Sequence, residues 1–119
     1  MPITPDALQK SLTAMNAARQ VTHRKMFGGA GFYCDGIFFA VLDDDRLYFK
    51  VNDSNIETYE QAGMGPWMLE MNGIQQMPYF EVPPKAWKNA DLMGELIDGA
   101  VEVAKSKAKS KSKPRKKKA

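Results

Sequence analysis

The stretch Met26-Phe27-Gly28-Gly29-Ala30-Gly31-Phe32-Tyr33-Cys34-Asp35-Gly36-Ile37-Phe38-Phe39-Ala40-Val41-Leu42 decides the fold class. Short aromatic and β-branched runs broken by Gly and Asp are strand and turn chemistry. Asp35-Gly36 is a two-residue hairpin signal, because both central positions of a type I′ turn need positive φ. Asp43-Asp44-Asp45 makes a second polar turn before Arg46-Leu47-Tyr48-Phe49-Lys50-Val51. In that last run Leu47, Phe49 and Val51 share one face, while Tyr48 and Lys50 share the other. The spacing predicts a three-stranded antiparallel meander. Gly28-Gly29-Ala30-Gly31 opens neither a helix nor a Walker-type Lys-Ser/Thr pattern, so strand reversal or a bulge accounts for it better than a phosphate cradle.

On the N-terminal side, Thr4-Pro5-Asp6 combines a capping hydroxyl, a proline fitted to the first helical position and an acid suited to the positive dipole end. Leu8, Leu12, Met15 and Ala18 follow at helical spacing. On the C-terminal side, Ser54-Asn55-Ile56-Glu57 fits a capping box and Gly63 stands where a left-handed cap ends a short helix. Trp67 to Met71 and Gln75 to Val82 then flank Asn72-Gly73 as a second hairpin, and Pro83-Pro84 stops the sheet. Asn89 or Asp91 caps a last helix with Leu92, Leu96, Ile97, Ala100, Val101 and Ala104 on its apolar face. The expected order is αβββαββα, with five strands. Hairpins without βαβ crossovers define a two-layer α+β domain, an antiparallel sheet with helices on one face. Phe38, Tyr48, Met68 and Phe80 leave the other face more apolar than a solvated face needs, so it is either exposed or buried in a homodimer.

The chain of 119 residues suffices for one domain, residues 1–104, and excludes a large multidomain enzyme. Its charge is divided. Nine of the seventeen basic residues and none of the fourteen acids fall in residues 105–119, which leaves the body net −6 and the tail net +9. All apolar residues but Ala108 and Ala119 precede or lie outside that tail's cations, so the composition predicts a disordered lysine-rich segment. Lys105, Lys107, Lys109, Lys111, Lys113, Arg115, Lys116, Lys117 and Lys118 are its candidate nucleic-acid contacts, acting by counterion release and therefore without sequence preference. A single cysteine, Cys34, excludes an internal disulfide and favours a reducing compartment. With neither a signal-peptide pattern nor an apolar run of about 20 residues, the sequence points to a cytoplasmic protein with no membrane partner.

Catalytic and metal chemistry find little support. His23 is the only histidine, set between the first helix and the first expected strand beside Arg24 and Lys25, as a solvated residue would be. One Cys and one His do not supply a zinc site, the three consecutive aspartates lack a calcium-loop spacing, and no cofactor is implied. Cys34 sits in an apolar strand with nothing nearby to stabilise a thiolate. Arg24, Lys25, Tyr48 and Lys50 form a basic and aromatic interaction patch if the first and third strands are neighbours.

The string Arg24-Lys25-Met26-Phe27-Gly28-Gly29-Ala30-Gly31-Phe32-Tyr33, followed by Asp35-Gly36, Phe39-Ala40, Leu47-Tyr48-Phe49-Lys50-Val51, Gly63 and Tyr79-Phe80-Glu81-Val82-Pro83, resembles the N-terminal domain of the TfoX/Sxy family over most of residues 5–104. The resemblance implies a small two-layer α+β fold and no enzyme activity. It also implies an association with regulation of bacterial competence, alongside the catabolite activator protein. Longer members carry a second helical domain resembling helix-hairpin-helix modules, and here a lysine-rich segment follows instead.

The expected function is a non-enzymatic regulatory adaptor linked to transcription, whose body contacts a regulatory protein or itself and whose tail binds nucleic acid. A histone-like DNA binder and an enzyme using Tyr33, Tyr48 or Lys50 are the alternatives.

Overall fold

A computed structural model describes residues 3–26, 28–70 and 73–112. Along the chain run α1 (Pro5–Asn16), β1 (Thr22–Met26), β2 (Gly29–Cys34), β3 (Ile37–Asp43), β4 (Arg46–Lys50), α2 (Ile56–Gln61), β5 (Pro66–Glu70), β6 (Ile74–Glu81), a 3-10 turn (Pro84–Lys88) and α3 (Ala90–Ser112). The strands form one antiparallel sheet in the order β1-β2-β3-β4-β6-β5. The expected α+β architecture is present, with six strands where the sequence suggested five.

The additional strand is β1. Thr22-His23-Arg24-Lys25-Met26 has no apolar alternation and is exposed along most of its length, so its pairing with β2 rather than its own burial holds it extended. His23 therefore lies within a strand, not in a connection. Asp35 and Gly36 adopt φ of 53° and 77°, as the hairpin signal required. Asp44 and Asp45 also take positive φ, 55° and 61°. Asp45 uses its position: its carboxylate accepts the Thr4 N–H at 2.8 Å and the Thr4 hydroxyl at 3.2 Å, fastening the start of α1 to the β3–β4 turn. Thr4 in turn caps α1 by accepting the Ala7 N–H at 3.1 Å.

One face of the sheet carries the main core. Phe32, Phe39, Leu47, Phe49 and Val82 pack there against Met15 of α1 and Met93, Ile97 and Ala100 of α3. Each large apolar side chain removed from water in this way contributes about 1.5–3 kcal/mol before entropy is counted. A β-bulge between β2 and β3 is what lets two consecutive residues, Phe39 and Ala40, both enter this core, while Phe38 and Val41 go to the other side. Phe80, expected on the outer face, instead packs inward, with its ring 6.4 Å from that of Tyr59.

The start of α2 differs from a capping box. Asn55 precedes the helix, but its side chain accepts the Asn52 N–H at 2.8 Å and donates to the Lys50 carbonyl at 3.1 Å, closing the β4–α2 loop on itself. Gly63 has φ of 78° and ends the helix as expected. Asn89 caps α3 by accepting the Leu92 N–H at 3.1 Å.

The backbone of α3 continues through Ser112, so residues 105–112 are helical where composition argued for no regular structure. Elongating an existing helix avoids the nucleation cost, Lys and Ala are good helix formers, and cations suit a helix C-terminus. Glu102 and Lys105 also approach to 3.9 Å one turn apart. Lys113, Arg115, Lys116, Lys117 and Lys118 lie outside the described residues, as do Phe27, Met71 and Asn72.

Candidate functional site on the outer sheet face

The face turned away from the helices holds a second, smaller core of Val41, Tyr48, Trp67 and Tyr79, with Phe38, Leu69 and Met77 partly buried against it. Strand alternation places these side chains together: Val41 is opposite Tyr48, and Tyr79 is opposite Lys50. The Trp67 indole stacks 6.1 Å from the Tyr48 ring and meets Tyr79 edge-on at 5.7 Å. Its N–H donates to the Asp43 carboxylate at 2.8 Å. Asp43 is on β3 and Trp67 on β5, with β4 and β6 between them. Three strand steps on a flat sheet span about 14 Å, beyond the lateral reach of the two side chains, so the sheet curls toward its outer face.

Gly31 lies on this face, and a side chain there would collide with Phe38 and Met26, whose atoms stand 2.5 and 2.7 Å from the position a Cβ would take. Met26 and Phe38 thus cover Gly31, and the glycine-rich element serves close packing rather than phosphate binding. Arg24, opposite Gly31, carries its guanidinium 6.0 Å from the centroid of the Tyr33 ring. Lys50 places its Nζ 4.7 Å from the centroid of Tyr79. Burial holds the Tyr48 phenol above its ordinary pKa and pushes that of Tyr79 up to about 12, so both remain neutral donors at physiological pH.

Of the expected patch, Arg24, Tyr48 and Lys50 do share a face. They do so at a distance, because β1 and β4 are separated by β2 and β3 rather than adjacent. Lys25 does not belong to the patch: it pairs with Ala30, a core-facing position, and so alternates to the helix side. Phe38, expected on this face with Tyr48, does lie there, and Tyr33, Trp67 and Tyr79 are the members that sequence reasoning left out. Their common face depends on the bulge at Phe39 and on the curl of the sheet, although alternation about Tyr48 and Lys50 already pointed to aromatic neighbours.

Cys34 is half-buried, and burial followed by the nearby Asp35 charge pushes its thiol up, away from thiolate reactivity. Among the described residues, no three His, Cys, Asp or Glu side chains gather as they would around a metal ion. No helix of the described residues is long and apolar enough to cross a membrane.

The class is that of a small α+β domain whose helices back one side of a curled antiparallel sheet and whose open side is aromatic and cationic. The model of the TfoX N-terminal domain matches residues 13–104, and the chain belongs to that family. No curated protein matches the chain.

Proposed function

We propose that this protein is a non-enzymatic cytoplasmic adaptor in transcription regulation, whose folded body docks on a regulatory protein while its basic segment holds the complex to nucleic acid. The observation that carries this reading is the partition of charge: a net −6 body, matched by the TfoX N-terminal domain, is followed by nine cations without a single acid. Such a segment is attracted to any polyanion by counterion release, yet supplies no base readout, which needs side chains held in a groove. Specificity then comes from the protein partner, and the segment raises the local concentration of the body near DNA.

Replacing all nine basic residues of 105–119 by Gln in the full chain tests the tether. Retention of duplex DNA of unrelated sequences in low salt is expected to disappear, with the melting temperature of the body unchanged. Undiminished retention would overturn the tether and shift attention to a histone-like contact made by the body itself.

A further inference from the structure

The rings of the outer face form a continuous row. Tyr33 and Phe38 lie 5.3 Å apart, and Phe38 and Tyr79 lie 6.3 Å apart, centroid to centroid. Tyr33 and Phe38 are half-buried and so show part of each ring to solvent, while Trp67 supports Tyr79 edge-on. A cation stands over each end of the row, Arg24 over Tyr33 and Lys50 over Tyr79. The acids of the same face are already engaged: Asp43 accepts the Trp67 indole N–H, and Glu81 pairs with Arg46 at 3.2 Å.

We infer that this curled face is a platform for a single-stranded nucleic-acid segment, with bases against Tyr33 and Phe38 and phosphates beside Arg24 and Lys50. Rings flanked by cations complement a strand that alternates π-faces with negative charge. A duplex cannot use the rings, because its bases are stacked inside it. A second copy of this chain fits less well, since two such faces would oppose cation to cation, and Asp43 and Glu81 already hold Trp67 and Arg46. Lys50 also lines a groove of about 650 Å³ that reaches Val103 and Ser106 of α3, next to Lys105, where the basic segment begins. The inference rests on the tether reading for general attraction to nucleic acid, and adds to it a preference for unpaired bases.

The test uses the full chain, a labelled oligothymidylate of roughly twelve nucleotides, within the site sizes usual for such platforms, and a duplex of the same length. The variants are Arg24→Gln, Tyr33→Thr and the chain with its nine tail cations changed to Gln. Circular dichroism reports that each remains folded, and Arg24 is an exposed edge-strand residue whose loss leaves the core intact. Tyr33→Thr is expected to weaken strand binding roughly tenfold, and Arg24→Gln to reduce the log–log salt slope by about 0.7. Both leave duplex binding unchanged. If the tail-neutralised chain keeps a weaker strand affinity that still falls on Tyr33→Thr, the platform stands whatever becomes of the tether. Strand binding indifferent to both Arg24→Gln and Tyr33→Thr overturns the platform, even where the tail binds duplex as expected. A full-chain dimer that Tyr33→Thr dissociates, with no strand binding, overturns it in favour of a second copy.

Discussion

Trp67 on β5 donates its indole N–H to Asp43 on β3 across two intervening strands, and this bond at 2.8 Å is the clasp that keeps the sheet curled. Both residues are buried, Trp67 at 4% exposure and Asp43 at 9%. Trp67→Phe removes a donor from a buried carboxylate and leaves unfilled space between Tyr48 and Tyr79. A loss of about 2–4 kcal/mol is expected in urea unfolding, from the cavity and the missing hydrogen bond together. Asp43→Asn keeps an acceptor for the indole and should cost clearly less.

The two glycines of the hairpin region and of α3 act in opposite directions. A Cβ on Gly29 would stand 2.1 Å from the Leu42 carbonyl oxygen, a backbone atom that cannot move aside without unpairing β2 from β3. Gly29→Ala should destabilise by about 2–4 kcal/mol. At Gly99 the nearest atoms, of Asn55, are 3.7 and 3.9 Å away. Gly99→Ala should therefore stabilise by about 0.5–1 kcal/mol through helix propensity. Paired denaturant titrations of the two variants check both signs.

Gly94 is a third case, governed by Arg19. The guanidinium lies against this glycine, with Nη1 2.8 Å from where a Cβ would be, and donates through Nε and Nη2 to Asp98 at 2.9 and 2.7 Å. Gly94→Ala gains propensity only by pushing the guanidinium aside, so its benefit should fall short of that at Gly99. In an Arg19→Gln background the shortfall should vanish. The pair has a pH signature as well: the hydrogen bond from Arg19 holds the Asp98 carboxyl below its ordinary value. A depressed carboxylate pKa contributes stability above the unfolded value and loses it as pH falls through the folded one. Wild type should thus lose more stability than Arg19→Gln between about pH 4 and lower values, in thermal melts across an acid series.

Tyr79 sets an alkaline limit. Its phenol, pushed up to about 12 by burial, keeps its proton longer in the folded chain than in the unfolded one. A raised pKa contributes stability below the unfolded value near 10, and that stability drains away as pH rises toward 12. Tyr79→Phe retains the ring and lacks this proton, so its stability should fall less steeply over that window. Urea titrations at pH 8 and at about pH 11 compare the slopes.

Local chemistry was legible where it is decided by neighbours in sequence. Thr4 as a cap, Asp35-Gly36 as a turn, Gly63 as a helix stop and Asn89, one of the two caps expected with Asp91, as the start of α3 all follow from backbone donors and positive φ within a few residues. What escaped depends on distant partners. β1 has no hydrophobic period and is a strand only because β2 is beside it. The bulge at Phe39 reverses the faces of Ile37 and Phe38 relative to simple alternation, and the Trp67–Asp43 bond exists only once the sheet has curled. The site was half legible for the same reason. Tyr48 and Lys50 were placed on one face by parity, Arg24 was grouped with them only through an expected adjacency of strands that the sheet order does not have, Lys25 was misplaced by its proximity to Arg24, and most of the rings that join them required the finished sheet.

The central claim, that the basic segment tethers an otherwise acidic domain to nucleic acid, is tested most directly by the salt dependence of duplex DNA binding. The full chain and the chain with its nine tail cations changed to Gln are titrated on unrelated sequences across a salt series. The full chain should show no sequence preference and a log–log slope of roughly −5 to −8, set by the number of cations engaged, with the slope of the neutralised chain close to zero. Equal affinity and equal slope for the two chains would contradict the tether and place the nucleic-acid contact in the folded body.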